Sequence, residues 1–364
     1  MKSKSVVKYP QVPYGNTVVV ATKAKVMALR YPKHLEVWKL GEASTKEVGK
    51  PGSLLPLTSD PVKVLQLQTK DDETIRCCHL SDDGSWIGYA TPTRIRVYSL
   101  KDVEGNNPDI HRASVKSEAT QLAHHLRFYG DGKMLSITDQ GSLQLFEIDN
   151  HCVVLTDTVA RESLGLQSGV SKIEIRGDYC AIADFSGHVI CFDLGEKKPV
   201  CKAPLYNDAP VSCLSIHPKK DQFIVVYTDN HIVEVNIANG KYTKFSNALK
   251  MPKDWKNKKH PTIGIIQDGD DKIIMYDHVK IFSLDRSNST LSSSSREPPS
   301  KKKTATLIDQ EPEQKIKVTK KFENLVFFGP VESSLKSLMA VEVKPQTIED
   351  QLPPSLKMKK FGAM

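Results

Sequence analysis

Short apolar runs follow one another along the chain, each cut off by clusters of Asp, Gly, Asn and Pro. The stretch from Ile75 to Leu100, IRCCHLSDDGSWIGYATPTRIRVYSL, displays the unit. A strand over Ile75 to Leu80 enters an Asp82-Asp83-Gly84 turn, and Trp86 to Ala90 returns. After Thr91-Pro92-Thr93 a third strand runs from Arg94 to Leu100. β-Branched and aromatic runs bounded by such turn residues predict antiparallel hairpins. One meander of this kind cannot bury both its faces, so it requires neighbours like itself.

The neighbours are present. Val18 to Val20, Lys25 to Arg30 and Leu35 to Leu40 form an earlier meander, preceded by a short edge strand over Ser5 to Tyr9. Its outer strand is Val62 to Leu67, beyond a polar loop from Gly41 to Pro61. Further copies occupy Leu126 to Ile148, Ser171 to Leu194, Val211 to Ile237 and Thr262 to Leu284. Their third-strand anchors Tyr98, Phe146, Phe192, Val235 and Phe282 fall 43–48 residues apart, close to the roughly 40–45 of WD-type propeller repeats. The gaps are too short and turn-rich for the crossover helices of a parallel α/β fold. The pattern predicts an all-β chain folded as a WD-type β-propeller. A β-sandwich is the alternative, but it would not require this regular period.

From Arg286 the texture changes to SNSTLSSSSREPPSKKKTAT, Ser-rich and then Pro- and Lys-rich, with almost nothing apolar to bury. Residues 286–315 read as a disordered insertion. Ile316 to Val318 resumes β character as a delayed outer strand of the sixth unit. Leu325 to Phe328 and Leu338 to Val343 supply two strands of a seventh unit without a third of its own, as in a ring closed by the N-terminal segment. The expected organisation is one propeller over residues 1–343, of seven blades or of six with an irregular end, and an extended basic C-terminal tail over 344–364.

Composition adds little beyond this. With 364 residues, 39% hydrophobic and 26% charged, the chain matches a soluble globular protein with a large core. No apolar window approaches a membrane span, and the basic N-terminus lacks the apolar stretch of a secretory signal. Seven cysteines without framework spacing, several inside apolar strands, fit a reducing compartment, cytosol or nucleus. The formal net charge of +8 is compatible with RNA-rich surroundings without demonstrating RNA binding.

Chemistry-bearing motifs are sparse. Gly130-Asp131-Gly132-Lys133-Met134 lacks the spacing and hydroxyl of a phosphate loop and sits where a hairpin turn is needed. Cys77-Cys78-His79 lacks zinc-ligand spacing, and strand neighbours point to opposite faces, so the three cannot converge. His124-His125 fails on the same ground. No Gly-x-Ser-x-Gly elbow or His-Glu-x-x-His is present. The scattered Asp residues sit where Asx-turns account for them. No catalytic, cofactor-binding or metal-binding residue is therefore assigned, and neither a cofactor nor a small-molecule substrate is expected. A propeller can host a site over its channel, which keeps a propeller hydrolase as a third reading.

Three surface strings remain. Lys301, Lys302 and Lys303, after Pro298-Pro299-Ser300, fit a nuclear-import tract or a solvated charge run. Trp255-Lys256-Asn257-Lys258-Lys259-His260 interleaves an aromatic with basic residues and could stack on RNA, or be an ordinary solvated loop. The tail string Leu352, Pro353, Pro354, Ser355, Leu356, Lys357, Met358, Lys359, Lys360 and Phe361 combines apolar and basic residues in an extended segment suited to docking on a partner or RNA.

With the tail the chain resembles a family. Val341 to Gly362 is similar to the C-terminus of Cirhin proteins, tandem WD-repeat subunits of the t-UTP (UtpA) subcomplex of the small-subunit processome. Ser355 and Lys344 depart from the family's usual Pro and Arg. His34-Leu35-Glu36-Val37-Trp38-Lys39-Leu40-Gly41, Gly84-Ser85-Trp86-Ile87-Gly88-Tyr89-Ala90-Thr91, and Pro204-Leu205-Tyr206-Asn207 with Pro210-Val211 are also similar to family strings, in the same order. The resemblance implies a non-catalytic nucleolar scaffold supporting small-subunit pre-ribosomal RNA processing and ribosomal RNA transcription. Implied partners are other t-UTP/UtpA subunits and the 5′ external transcribed spacer of pre-rRNA, directly or indirectly, with no membrane. The family has two propellers and this chain resembles the second. A generic cytosolic WD-repeat adaptor, for ubiquitin ligation or vesicle traffic, is the alternative.

Overall fold

The computed structural model describes residues 16–43, 55–70, 72–103, 105, 108–116, 121–149, 152–252, 255, 258–269, 272–286, 316–319, 322–332 and 337–343. The alternating runs become successive antiparallel meanders. The first comprises β1 (Val18–Ala21), β2 (Val26–Arg30), β3 (His34–Lys39) and β4 (Val62–Gln68). The second has β5 (Cys77–Leu80), β6 (Trp86–Ala90), β7 (Ile95–Lys101) and β8 (Asp109–Lys116). The third has β9 (Ala123–Tyr129), β10 (Lys133–Thr138), β11 (Leu143–Asp149) and β12 (Cys152–Val159). A single helical turn, α1 (Arg161–Leu164), leads to the fourth: β13 (Val170–Arg176), β14 (Tyr179–Asp184), β15 (Val189–Asp193) and β16 (Lys198–Lys202). The fifth has β17 (Val211–Ile216), β18 (Gln222–Tyr227) and β19 (Ile232–Asn236), then α2 (Lys244–Ala248). The sixth has β20 (Gly264–Asp268), β21 (Lys272–Tyr276), β22 (Ile281–Asp285) and β23 (Ile316–Thr319). β24 (Leu325–Pro330) and β25 (Leu338–Glu342) form the seventh.

The first strands of the seven meanders line the axis. β1, β5, β9, β13, β17, β20 and β24 touch in succession, and β24 also touches β1. The ring is closed, which a two-layer sandwich is not. At the junction of sheets six and seven the Leu325 N–H donates to His278 O at 2.8 Å. The expected third-strand anchors hold equivalent places: Tyr98 faces Ile87, Phe146 faces Met134, Phe192 faces Cys180, Val235 faces Phe223 and Phe282 faces Met275. The short edge strand expected over Ser5 to Tyr9 lies outside the described residues, as do 287–315 and 344–364.

Packing explains why the middle strands carry apolar residues on both faces. In β18, Phe223, Val225 and Tyr227 face the fourth sheet while Ile224 and Val226 face the sixth. In β14, Ala181 and Ala183 look toward the fifth sheet, and Cys180 and Ile182 toward the third. Successive side chains leave a strand on opposite sides, so a sheet clamped between two others needs apolar residues on both.

Two details depart from the repeat. The outer edges of the second and third sheets are joined: β8 and β12 pair in parallel, with Cys152 opposite Ser114 and Val153 opposite Val115, giving one eight-stranded sheet. Both strands are eight residues long, long enough to meet beyond their own meanders. In the fifth unit no fourth strand follows among the described residues. Tyr242 bridges to Val235 and α2 takes the place of the outer strand, its N-cap Thr243 accepting from Ser246 N. Residue 286, read from sequence as the start of the insertion, is instead buried at the end of β22, because its guanidinium is held by partners described below.

Replacing fully buried Phe223 by Ala leaves a cavity between two sheets, and the expected cost is about 3–5 kcal/mol. Val200→Ser on exposed β16 should stay within about 0.5 kcal/mol. Urea denaturation followed by tryptophan fluorescence checks both, and equal effects would contradict the inter-sheet packing.

Candidate functional site

The acidic residues are built into turns. Asp184, between β14 and β15, is fully buried. Its Oδ1 accepts from the backbone N–H of Ser186 at 3.0 Å and His188 at 2.9 Å, and its Oδ2 accepts from Gln167 at 2.9 Å and Ser168 at 3.2 Å. The His188 ring lies 3.3 Å away. Asp277 repeats the turn in the sixth sheet, Oδ1 accepting from Val279 N at 2.8 Å and Lys280 N at 2.7 Å. Asp229 accepts from His231 N and Asp83 from Ser85 N. Carboxylates so engaged close the chain reversals as Asx-turns, as read from sequence.

Cys77, Cys78 and His79 diverge as strand geometry demands. Cys77 packs between sheets two and three, Cys78 between sheets one and two. Burial pushes their thiols up to about 12 and about 11. His79 Nδ1 accepts from Phe128 N at 3.1 Å, tying β5 to β9, and burial pushes its pKa well down. His124 lies 3.0 Å from Arg76 Nη1, whereas His125 reaches Val170 O at 3.2 Å and is pushed down to about 3 by burial. Among the described residues no group of three His, Cys, Asp or Glu side chains is placed to hold a metal.

The stacking reading of the Trp255 string does not survive. Trp255 is only 2% exposed: its Nε1 donates to Asn230 O at 2.7 Å and its ring meets Phe282 edge-on at 4.9 Å. Lys258 follows it inward, its Nζ 4.4 Å from the Trp255 ring centre, 2.7 Å from Thr262 Oγ1 and 4.0 Å from Asp277 Oδ2. The gap between sheets five and six needed a large apolar side chain, and the loop supplies it. Lys256 and Asn257, the tract Lys301 to Lys303, and the tail residues Leu352, Pro353, Pro354, Lys357, Lys359, Lys360 and Phe361 lie outside the described residues.

Two polar constellations escaped sequence reasoning. Arg286 pairs with Glu234 of β19 at 2.7 Å and donates to Gln267 of β20 at 2.6 Å. Gln267 in turn donates to Ser215 O at 3.0 Å, and Thr243 Oγ1 donates to Glu234 Oε2 at 2.7 Å. This buried set fastens sheet five to sheet six at the residue where the chain departs toward 287–315. An Arg followed by a Ser-rich run gave no signal of it. The second lies along the axis. Glu174 of β13 is within electrostatic reach of Arg127 on β9, Cys213 on β17 and Tyr276 on β21, residues of three other sheets. Burial there pushes its carboxyl up to about 7, against the opposing pull of Arg127 and Arg176.

Comparison with known proteins follows the same lines. No family model matches the chain. A mouse protein named U3 small nucleolar RNA-associated protein 4 homolog is 28% identical over 362 residues, covering 96% of this chain and 52% of its own length. The human protein of that name is 26% identical with the same coverage, and the Saccharomyces cerevisiae protein 20% identical over 70% of this chain. The chain is homologous to proteins of this name. It spans about half the length of the mouse and human relatives. The C-terminal WD40 domain of Sif2 superposes with a TM-score of 0.49 at 14% identity, covering 75% of this chain and 70% of that one. The ring assignment rests on strand order and closure, not on this likeness.

Two outcomes are expected. Thiol reactivity should single out half-buried Cys201, directly opposite Cys191 on the neighbouring strand, because a hydrogen bond from Cys191 lowers its pKa. Limited alkylation of the native protein with mass mapping should label Cys201 well before buried Cys77, Cys78, Cys180 and Cys213, and uniform labelling would contradict it. For Glu174, the native pKa of about 7 stands above the ordinary glutamate value of roughly 4.3. Its contribution is therefore fully present below pH 4 and is lost as pH rises through 7. Glu174→Gln should gain in melting temperature relative to the parent between pH 4 and 7 and hold that gain above it. A pH-independent difference would place Glu174 in open solvent.

Proposed function

We propose that the chain is a propeller of the Cirhin family acting as a non-catalytic scaffold in small-subunit ribosome biogenesis. The observation that carries this is the match to the U3 small nucleolar RNA-associated protein 4 homologs, which covers 96% of the chain. The family strings from His34 to Gly362 support the same reading. The geometry agrees with it. A closed ring presents loop-built faces and an outer rim on a rigid frame, able to hold several partners at once. Asp184 and Asp277 are engaged in turns, and His79 and His125 in inter-strand ties.

In this reading one propeller occupies residues 1–343 and residues 344–364 form a docking tail. The partners are t-UTP/UtpA subunits and, directly or through them, the 5′ external transcribed spacer of pre-rRNA. The protein resides in the nucleolus, with Lys301 to Lys303 as its import tract. Leu352, Pro353, Pro354, Lys357, Lys359, Lys360 and Phe361 contribute partner contacts.

Affinity purification of the tagged full chain from cells tests the proposal. Expected is co-enrichment of U3 small nucleolar RNA and pre-rRNA over a tagged control. Deletion of residues 352–361 should reduce recovery several-fold without moving the melting temperature. A folded chain that recovers neither RNA, or that remains cytoplasmic, would overturn it.

A further inference from the structure

At the rim, between the loop after α2 and the outer strand of the sixth sheet, lies a cleft of about 770 Å³. Its size falls within the range of ligand-binding pockets. The apolar part of its lining includes Trp255, Phe282, Ile316 and Val318; Lys258, Lys259 and Lys280 supply positive charge against the one carboxylate of Asp277. One wall is β23, the last strand of its sheet, whose outer edge carries no further strand among the described residues. Val318 on that strand is 46% exposed.

We propose that this cleft receives an extended segment of a partner protein, alternating acidic and apolar residues, which adds as a strand to β23 and sets a carboxylate against Lys258.

Three observations favour that occupant. First, an open strand edge offers N–H and C=O groups at a spacing that only another polypeptide matches. Strand addition takes its affinity from those bonds and its specificity from alternate side-chain pockets. Second, Lys258 is buried, yet its carboxylate partner Asp277 stands 4.0 Å off, with the other carboxylate oxygen already accepting two backbone N–H groups. Burial pulls the ammonium down to about 8, so an anionic group brought beside it is attracted in surroundings of low polarity. Lys280 on the same wall adds to the positive field. Third, nucleic acid is disfavoured by the aromatic geometry. Binding of single-stranded RNA uses exposed ring faces on which bases stack. Here Trp255 is buried, with Lys258 over its ring and Phe282 at its edge. What stays open is aliphatic, suited to the side chains of a strand.

Fluorescence anisotropy of the full chain with a labelled heptapeptide alternating glutamate and valine tests the proposal. A lysine–valine heptapeptide and a heptauridylate serve as comparison probes. Expected is saturable binding of the acidic peptide alone. Val318→Asp, on an exposed side chain, should weaken it roughly tenfold by adding like charge to the wall, and Lys258→Met should do so by removing the cation. If Lys258→Met fails to fold, Val318→Asp with an unchanged melting temperature decides. Acidic-peptide binding unaffected by Val318→Asp, no binding to the folded parent chain, or heptauridylate binding that displaces the peptide would each overturn the assignment.

Discussion

Every middle strand of this protein is apolar on both sides, and the rest of the architecture follows from that. A sheet with two sticky faces cannot be finished by one partner. It must be flanked twice, and so must each flanking sheet. A row of such sheets leaves two bare faces at its ends unless it bends round until they meet. The natural right-handed twist of strands turns the row into a ring. The contact between β24 and β1 is where this requirement is met.

Cores of this type are divided. Five separate apolar clusters lie between consecutive sheets from the first to the sixth, rather than one central mass. The first strands of neighbouring sheets then carry polar side chains such as half-buried Glu174 and buried Arg127. Buried polar groups complete the packing where strands end. Glu234 with Arg286 and Gln267 joins the fifth sheet to the sixth and limits how far they slide, while Asp184 with His188 closes a turn inside the fourth.

Much of this was legible in the chain. Period-two alternation with a regular repeat disclosed the strands, their order and the ring, because those depend on local pattern and on a count. The turn Asp residues were legible for the same reason. What stayed hidden depends on distant partners. Trp255 looked like a surface aromatic amid lysines, yet its indole fills a gap formed by Asn230 and Phe282. Arg286 looked like the first residue of a polar run, yet Glu234, far back in the chain, holds it. The outer strands β8 and β12 carried ordinary strand signals, and nothing in either announced that they would pair with each other. That the helix α2, and among the described residues no fourth strand, follows β19 was equally hidden.

The parallel joint between β8 and β12 has a further effect. It turns two propeller units into one cooperative body, since opening either requires breaking backbone bonds to the other as well as the apolar layer between them. Local opening of a protein proceeds in contiguous blocks whose free energies differ. Amide protons of the second and third sheets would then exchange in concert and late. The wheel has a welded sector, and its breathing is lopsided.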